Sequence, residues 1–202
     1  MSYEKSLTAV SLDWFIALLG MLYVSGDGQM DVHEALRIRR SVRAYEEKPV
    51  PKEALDRILE AGRLAPSARN RQPWHFIVVT DAEKRKVIAK APFAKFVAEA
   101  PVVIVGLGDA KASPRWYMVD VAIALENMVI AATAEGLGTC WIGGFIEDEL
   151  RKLLEIPEDL KIVALVSIGY PRMDISSEIP PSRPKRSLQE VASLDKFGQP
   201  YK

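Results

Sequence analysis

The sequence predicts an α+β fold in a single domain, and three observations carry that prediction. Residues 75–80, 101–107 and 160–170 are apolar stretches of strand length, β-branched at Ile77-Val78-Val79. Helical periodicities stand before, between and after them, the longest over residues 115–135. The order is not a regular strand–helix–strand alternation, which argues against a plain Rossmann domain.

A first helix begins at Asp31, which can cap the free amides, with Glu34 placed to complete a capping box. Ala35, Leu36 and Ile38 form its apolar stripe, and it runs into Arg39-Arg40. Pro49-Val50-Pro51 breaks the chain, and Pro51 suits the first turn of a second helix over residues 52–64. There Leu55, Ile58 and Leu59 recur at helical spacing. Residues 65–70 read as a loop. The strand over 75–80 follows, then a short helix capped by Asp81 and running through Lys90. Residues 101–107 are solidly apolar, as in a strand covered on both faces.

The helix over 115–135 is apolar almost all round, interrupted by Asp120, Glu126 and Asn127, which marks a central core helix rather than a membrane span. Gly136 and Gly138 end it. A strand and turn over 139–145, a small amphipathic helix over 147–154 stopped by Pro157, and the strand over 160–170 complete the folded part. Beyond Tyr170-Pro171 the chain is polar and proline-rich through Lys185, with little core of its own, as a tail lying along a surface or reaching a partner subunit would be.

Composition narrows the function classes. The 202 residues are 49% hydrophobic and 27% charged, ordinary for a globular domain with a sizeable core. Lys plus Arg and Asp plus Glu balance at 27 each, which gives no global case for a nucleic-acid partner. One cysteine, Cys140, excludes an intramolecular disulfide and a cysteine-based metal cage; its usage fits a cytoplasmic location. Two histidines, His33 and His75, are too few for a histidine-rich metal site, and His75 reads as structural. Residues 14–24 are an unbroken apolar run, shorter than the roughly 20 residues a membrane helix needs. The run has the length of a signal-peptide core, but only Lys5 precedes Asp13 and no A-x-A cleavage site follows. Residues 1–29 are therefore read as an N-terminal extension or packed arm, and Met30 as a candidate native start, with 30–202 as the single domain and its tail.

Three segments can carry chemistry. Arg39-Arg40-Ser41-Val42-Arg43 places three guanidinium groups and a hydroxyl within five residues. Arginine binds phosphate through planar, bidentate hydrogen bonds. Taken alone, the run reads equally well as a solvated basic surface, and a nucleic-acid patch is a third reading. The loop at 65–74 offers Ser67, Asn70 and Gln72, which can donate and accept at the edge of a pyrimidine-like ring, although such residues also simply make turns. Gly138-Thr139-Cys140-Trp141-Ile142-Gly143-Gly144-Phe145 lets backbone approach a flat ligand, with free amides to stabilise negative charge; its alternative is a glycine-rich bend without a ligand. Gly106-Leu107-Gly108 lacks the third glycine of a dinucleotide fingerprint and reads as a strand-end turn. Cys140 reads as a small buried residue.

Together and in order, these motifs resemble the FMN-dependent nitroreductase family. The chain has R-R-S-V-R at 39–43, A-P-S-A-R-N-R-Q-P-W at 65–74, G-L-G-T-C-W-I-G-G-F at 136–145 and R-P-K-R-S-L-Q-E-V at 183–191. The resemblance covers about residues 31–192. It implies a three-layer α/β/α sandwich on a central, mostly antiparallel sheet, assembled as an interlocked homodimer with one FMN per site at the subunit interface. By that likeness Arg39, Arg40, Ser41 and Arg43 hold the phosphate, ribityl chain and ring edge. Lys185 joins at the phosphate, with Arg186 and Arg183 as further candidates. Pro66, Ser67 and Asn70 come from the other subunit. Trp141, Ile142, Gly143 and Gly144 line the flavin, with backbone amides near its N5 and O4. The tail wraps the neighbouring subunit.

The implied activity is hydride transfer from NADH or NADPH through the flavin to a small acceptor, such as a nitroaromatic or quinone, in a ping-pong cycle. The flavin performs the chemistry, so no catalytic side chain or metal is expected, and neither is a nucleic-acid or membrane partner. Two alternatives accompany this reading. A reductive dehalogenase would need an added lid, for which residues 108–114 leave little room. A non-catalytic protein would bind FMN without turning over NAD(P)H.

Overall fold

The computed structural model describes residues 30–172 and 185–201. The expectations for residues 1–29, for Arg183 and for most of the proline-rich tail lie outside the described residues. Contacts divide the chain after Arg172 into two units.

The first unit is built on a four-stranded antiparallel sheet of order β1-β2-β4-β3, comprising β1 (Trp74–Val79), β2 (Val102–Asp109), β3 (Gly138–Ile142) and β4 (Leu160–Gly169). Around it lie α1 (Val32–Ile38), α2 (Lys52–Arg63), α3 (Ala82–Ile88), α4 (Tyr117–Ala134) and α5 (Glu147–Leu154). Strand alternation sorts the core into two layers. Val102, Ile104, Val166 and Ile168 face α2 and α4, where Ile58, Leu125, Met128 and Ala132 pack on them. Val103, Val105, Leu107 and Leu165 face the other way, against Ile88, Val97 and Leu150 of the α3 and α5 side. This is the α+β, three-layer arrangement with an antiparallel centre that the sequence implies. β2 and β4, buried on both faces, are the solid apolar runs of the sequence.

Several local expectations are sharpened or corrected. Asp31 caps α1 by accepting from His33 N at 3.1 Å, but Glu34 does not complete the capping box; it pairs with Arg37 at 2.6 Å. Of the predicted stripe on α1, Ala35 is buried and Leu36 is exposed. Asp81 caps α3 through Lys84 N at 2.8 Å, as expected. Gly106 and Gly108 are not a strand-end turn: both lie inside β2, and they are there because α4 crosses directly above. A Cβ on Gly106 would stand 2.8 Å from Leu125 Cδ1, and one on Gly108 would stand 2.6 Å from Tyr117 Cδ2.

α4 is long and apolar enough to span a bilayer by composition alone, with a mean hydropathy of 1.4. Here one side of it packs on the sheet and on α2. The other side is less covered than an all-round apolar helix predicts, since Trp116, Met118, Val119 and Ile123 are all exposed.

In the second unit Ser187 and Glu190 form a capping box that opens a one-turn helix, α6 (Leu188–Val191). An isolated bridge joins Ser193 to Pro200.

Candidate functional site

The site centres on β3. α4 ends in a Schellman arrangement: Leu137 N donates to Ala132 O at 2.9 Å and Gly136 N to Thr133 O at 3.0 Å. This needs a left-handed residue, and Gly136 supplies it at φ 74. The chain then turns straight into β3. Along the free edge of β3 runs the segment that follows α1. Ser41 bridges Thr139 in parallel sense, and Val42 N donates to Thr139 O at 2.8 Å. Gly138 makes this approach feasible, because a Cβ there would meet Val42 Cγ2 at 2.6 Å.

The segment is fastened further along. Tyr45 is buried, its hydroxyl 2.8 Å from Val42 O and 2.7 Å from Ser167 Oγ of β4. Glu46 N donates to Tyr170 O, and Arg172 N to Ala44 O. The run Arg39–Arg43 is thus an edge attached to the sheet, ahead of the exposed turn Gly143-Gly144.

Charge follows this geometry. Among the described residues Arg39 and Arg40 make no ion pair, although Arg37 nearby holds Glu34. Arg43 lies 5.9 Å from the Phe96 ring centroid. Burial pushes the Cys140 thiol up, while Arg43, a hydrogen bond from Ser41 and Arg39 pull the other way. Cys140 is therefore a buried, protonated packing residue, as the sequence reading has it. Trp141 is half-buried, and its indole donates to Glu126 Oε2 at 2.9 Å, which fixes the ring against α4. Ile142 is buried, whereas Gly143 and Gly144 are exposed.

The sequence reading missed the segment after α3. Pro92 O would lie 3.5 Å from a Cβ on Gly144, and Phe96 sits under Arg43. Residues 92–96 therefore border both pieces of the site. Their composition gives no signal; only the fold brings them there.

The loop carrying Pro66, Ser67 and Asn70 is elsewhere. It is anchored where α4 begins: Ala68 N donates to Asp120 Oδ1 at 3.0 Å. From Asp120 to the end of α4 the helix rises about 21 Å. The sheet register agrees. Thr139 pairs with Ile168, while Trp74 lies in the row of Gly108 and Lys161. Seven residues of β4 separate those rows, or about 23 Å, and the two pieces border opposite edges of the sheet. One copy of the chain does not bring Pro66, Ser67 and Asn70 to Arg39–Arg43.

The second unit holds Lys185 and Arg186, both exposed, with Arg186 donating to Glu190 O.

Against known proteins, the nitroreductase family profile matches residues 36–98 and 88–170. The chain belongs to the nitroreductase family. A relative from Methanothermobacter thermautotrophicus, provisionally named an NADH dehydrogenase/NAD(P)H nitroreductase, is 39% identical over 150 residues, covering 71% of this chain and 78% of its own. An FMN reductase [NAD(P)H] of Bacillus subtilis is 35% identical over 164 residues, 70% of this chain and 66% of that protein. Among solved structures, an FMN-dependent nitroreductase of Clostridium difficile superposes with a TM-score of 0.69 at 29% identity, over 81% of this chain and 98% of that one. The nitroreductase fold of such structures contains the sheet and helices described above.

The residues present fit the family's flavin. Three guanidinium groups lie within five residues, with Arg39 and Arg40 in no ion pair among the described residues. They lead along β3 to a side-chain-free strip, where a Cβ on Gly143 would meet nothing within 4 Å. A basic cradle next to flat, exposed backbone suits a phosphorylated ring system.

Proposed function

We propose that this nitroreductase-family chain is a homodimeric, FMN-dependent NAD(P)H oxidoreductase that reduces a small acceptor such as a nitroaromatic or quinone. The observation that carries the reading is the Ser41–Thr139 bridge, which lays the arginine run beside β3 and ahead of Gly143-Gly144. The chemistry that FMN would supply there is electron transfer from NADH or NADPH to the acceptor.

The chain's own part is binding and orientation. Arg39, Arg40 and Arg43 hold the phosphate and ribityl end, with Ser41 adding a hydroxyl. Trp141, fixed by Glu126, backs the turn. The exposed backbone of Gly143 and Gly144 would line the flavin, its amides available to stabilise negative charge there. Pro66, Ser67 and Asn70 reach the site from a second copy, which accounts for their distance within one chain. The exposed apolar side of α4, with Trp116, Met118, Val119 and Ile123, supplies a surface for that copy to cover. A cytoplasmic setting fits the single protonated cysteine.

Two measurements test the reading. The purified protein is expected to be yellow, or to become so with added FMN, and to bleach anaerobically with NADH or NADPH. A protein that takes up no FMN contradicts it. Arg39→Ala should weaken flavin retention by about 1.5–3 kcal/mol, the worth of a charge-assisted contact, and leave the fold intact. Full FMN occupancy of that variant after extensive dialysis would remove Arg39 from the phosphate site.

A further inference from the structure

The loop with Pro66, Ser67 and Asn70 also carries Arg69 and Arg71, which the flavin reading does not use. Both are exposed and neither is ion-paired among the described residues, whereas Arg57, Arg63 and Arg151 each hold a carboxylate at 2.6–2.7 Å. The backbone around them is unusual. Arg69 stands at φ 55 and ψ 28, Asn70 at φ 54 and Gln72 at φ 47. Residues with a Cβ occupy this left-handed region only at a cost, and such costs gather where function requires a fixed shape.

Two tethers hold that shape. Gln72 N donates to Ser67 Oγ at 2.9 Å, and Ala68 N to Asp120 Oδ1 at 3.0 Å. Asp120 is buried, and its other oxygen accepts from Ser113 Oγ at 3.2 Å. One carboxylate therefore joins this loop to the turn that opens α4. That turn carries a third exposed arginine, Arg115, also in no ion pair among the described residues. The start of α4 has no side-chain cap, and the buried Asp120 in its first turn offsets the partial positive charge there, so the three guanidinium groups are what an anion would meet. The acidic groups nearby are engaged. Asp120 has both oxygens occupied, and Asp109 Oδ1 accepts from Lys111 N and Ala112 N at 2.7 and 2.9 Å. Lys111 itself reaches Asp159 at 3.5 Å.

We infer that Arg69, Arg71 and Arg115 form an anion-binding rim that recognises a phosphate or carboxylate on the small molecule exchanging electrons with the flavin. The inference rests on the reading that this loop completes a flavin site in a second copy. On that loop Arg69 and Arg71 flank Asn70 and stand two and four residues after Ser67, so by the same reading they would lie near the ring edge that Asn70 and Ser67 are assigned to meet. The anion comes from one of two sources, the phosphates of the nicotinamide donor or an acidic group on the acceptor.

FMN-loaded enzyme separates them. The donor arm compares NADPH and NADH with neutral 1-benzyl-1,4-dihydronicotinamide. The acceptor arm compares 4-nitrobenzoate with 4-nitrobenzyl alcohol. In the Arg69→Ala/Arg71→Ala double variant, the preference in kcat/KM for the charged member of one arm is expected to fall about tenfold. The effect should lie in KM and be restored in large part by lysine at both positions. A fall in the donor arm assigns the rim to the nicotinamide phosphates, and a fall in the acceptor arm to an acidic acceptor. Equal shifts of charged and neutral members, or a changed oligomeric state by sedimentation, would overturn the rim while normal flavin content left the oxidoreductase reading standing. A wild-type chain that holds no FMN and oxidises no dihydronicotinamide removes both readings together.

Discussion

The tripeptide Gly-Leu-Gly occurs twice in this chain, at 106–108 and at 136–138, and the two copies do different work. In the first, both glycines lie within β2 and clear space for α4, while Leu107 points to the opposite core layer. In the second, Gly136 supplies the left-handed turn that ends α4, Leu137 is buried behind it, and Gly138 admits Val42. One copy serves helix-on-sheet packing. The other stops a helix and receives the arginine segment. Identical local sequence thus has opposite consequences for the site, because what lies above each glycine comes from a distant part of the chain.

Substitutions should separate the two copies. Gly138→Val is expected to have the largest effect. Its side chain would occupy the place of Val42, and Val42 is tied to Thr139, so Arg39–Arg43 must lift from β3. FMN affinity should fall at least about tenfold, as the loss of a charge-assisted contact would give, with a stability loss of about 1–3 kcal/mol from overpacking. Flavin-fluorescence titration alongside thermal unfolding measures both, and unchanged affinity would detach the arginine run from the site.

Gly106→Ala should cost a similar 1–3 kcal/mol or so of stability, through contact with Leu125 and Val121. In a chain of this size that lowers Tm by about 2–4 °C per kcal/mol. FMN affinity should not change; a loss would show that the two glycine pairs are not separable.

Tyr45→Phe comes next, at about 1–2 kcal/mol, because Ser167 Oγ and Val42 O lose the buried phenol. It also has a pH signature. Burial pushes the Tyr45 phenol above the ordinary tyrosine range, outweighing the opposing hydrogen bond from Ser167. The folded chain therefore keeps a proton that the unfolded chain releases from about pH 10. The associated stability is fully present below that pH and is lost as pH rises further. Wild-type stability should fall more steeply above pH 10 than that of Tyr45→Phe, and parallel curves would contradict the assignment.

Gly136→Ala should be mildest, at about 1 kcal/mol, since nothing lies within 4 Å of its Cβ and only the positive φ opposes it. Flavin affinity should be preserved, as the register of β3 is set after this residue.

The same logic explains how far the sequence could be read. α2, α3 and α5 were legible because their stripes and caps are local, as with Asp81 and Lys84 N. β2 and β4 were legible because burial on both faces leaves an unbroken apolar run. Glu34 was misread because a nearby arginine competes for the same carboxylate at close range. Gly106 and Gly108 were misread because a gap beneath a crossing helix has no local signature. Phe96 and Pro92 were missed for the same reason.

By itself, the sequence determined the α+β class, the core strands and the ordered motifs by which the family is recognised, since periodicity and side-chain chemistry act over a few residues. Only the tertiary structure decided what those motifs meet. It attached Arg39–Arg43 to β3 and set Pro66, Ser67 and Asn70 at the far end of α4. It also left one side of α4 exposed. Strand pairing and helix crossing join residues tens of positions apart, and their geometry follows from how two core layers fill the space on either side of one sheet.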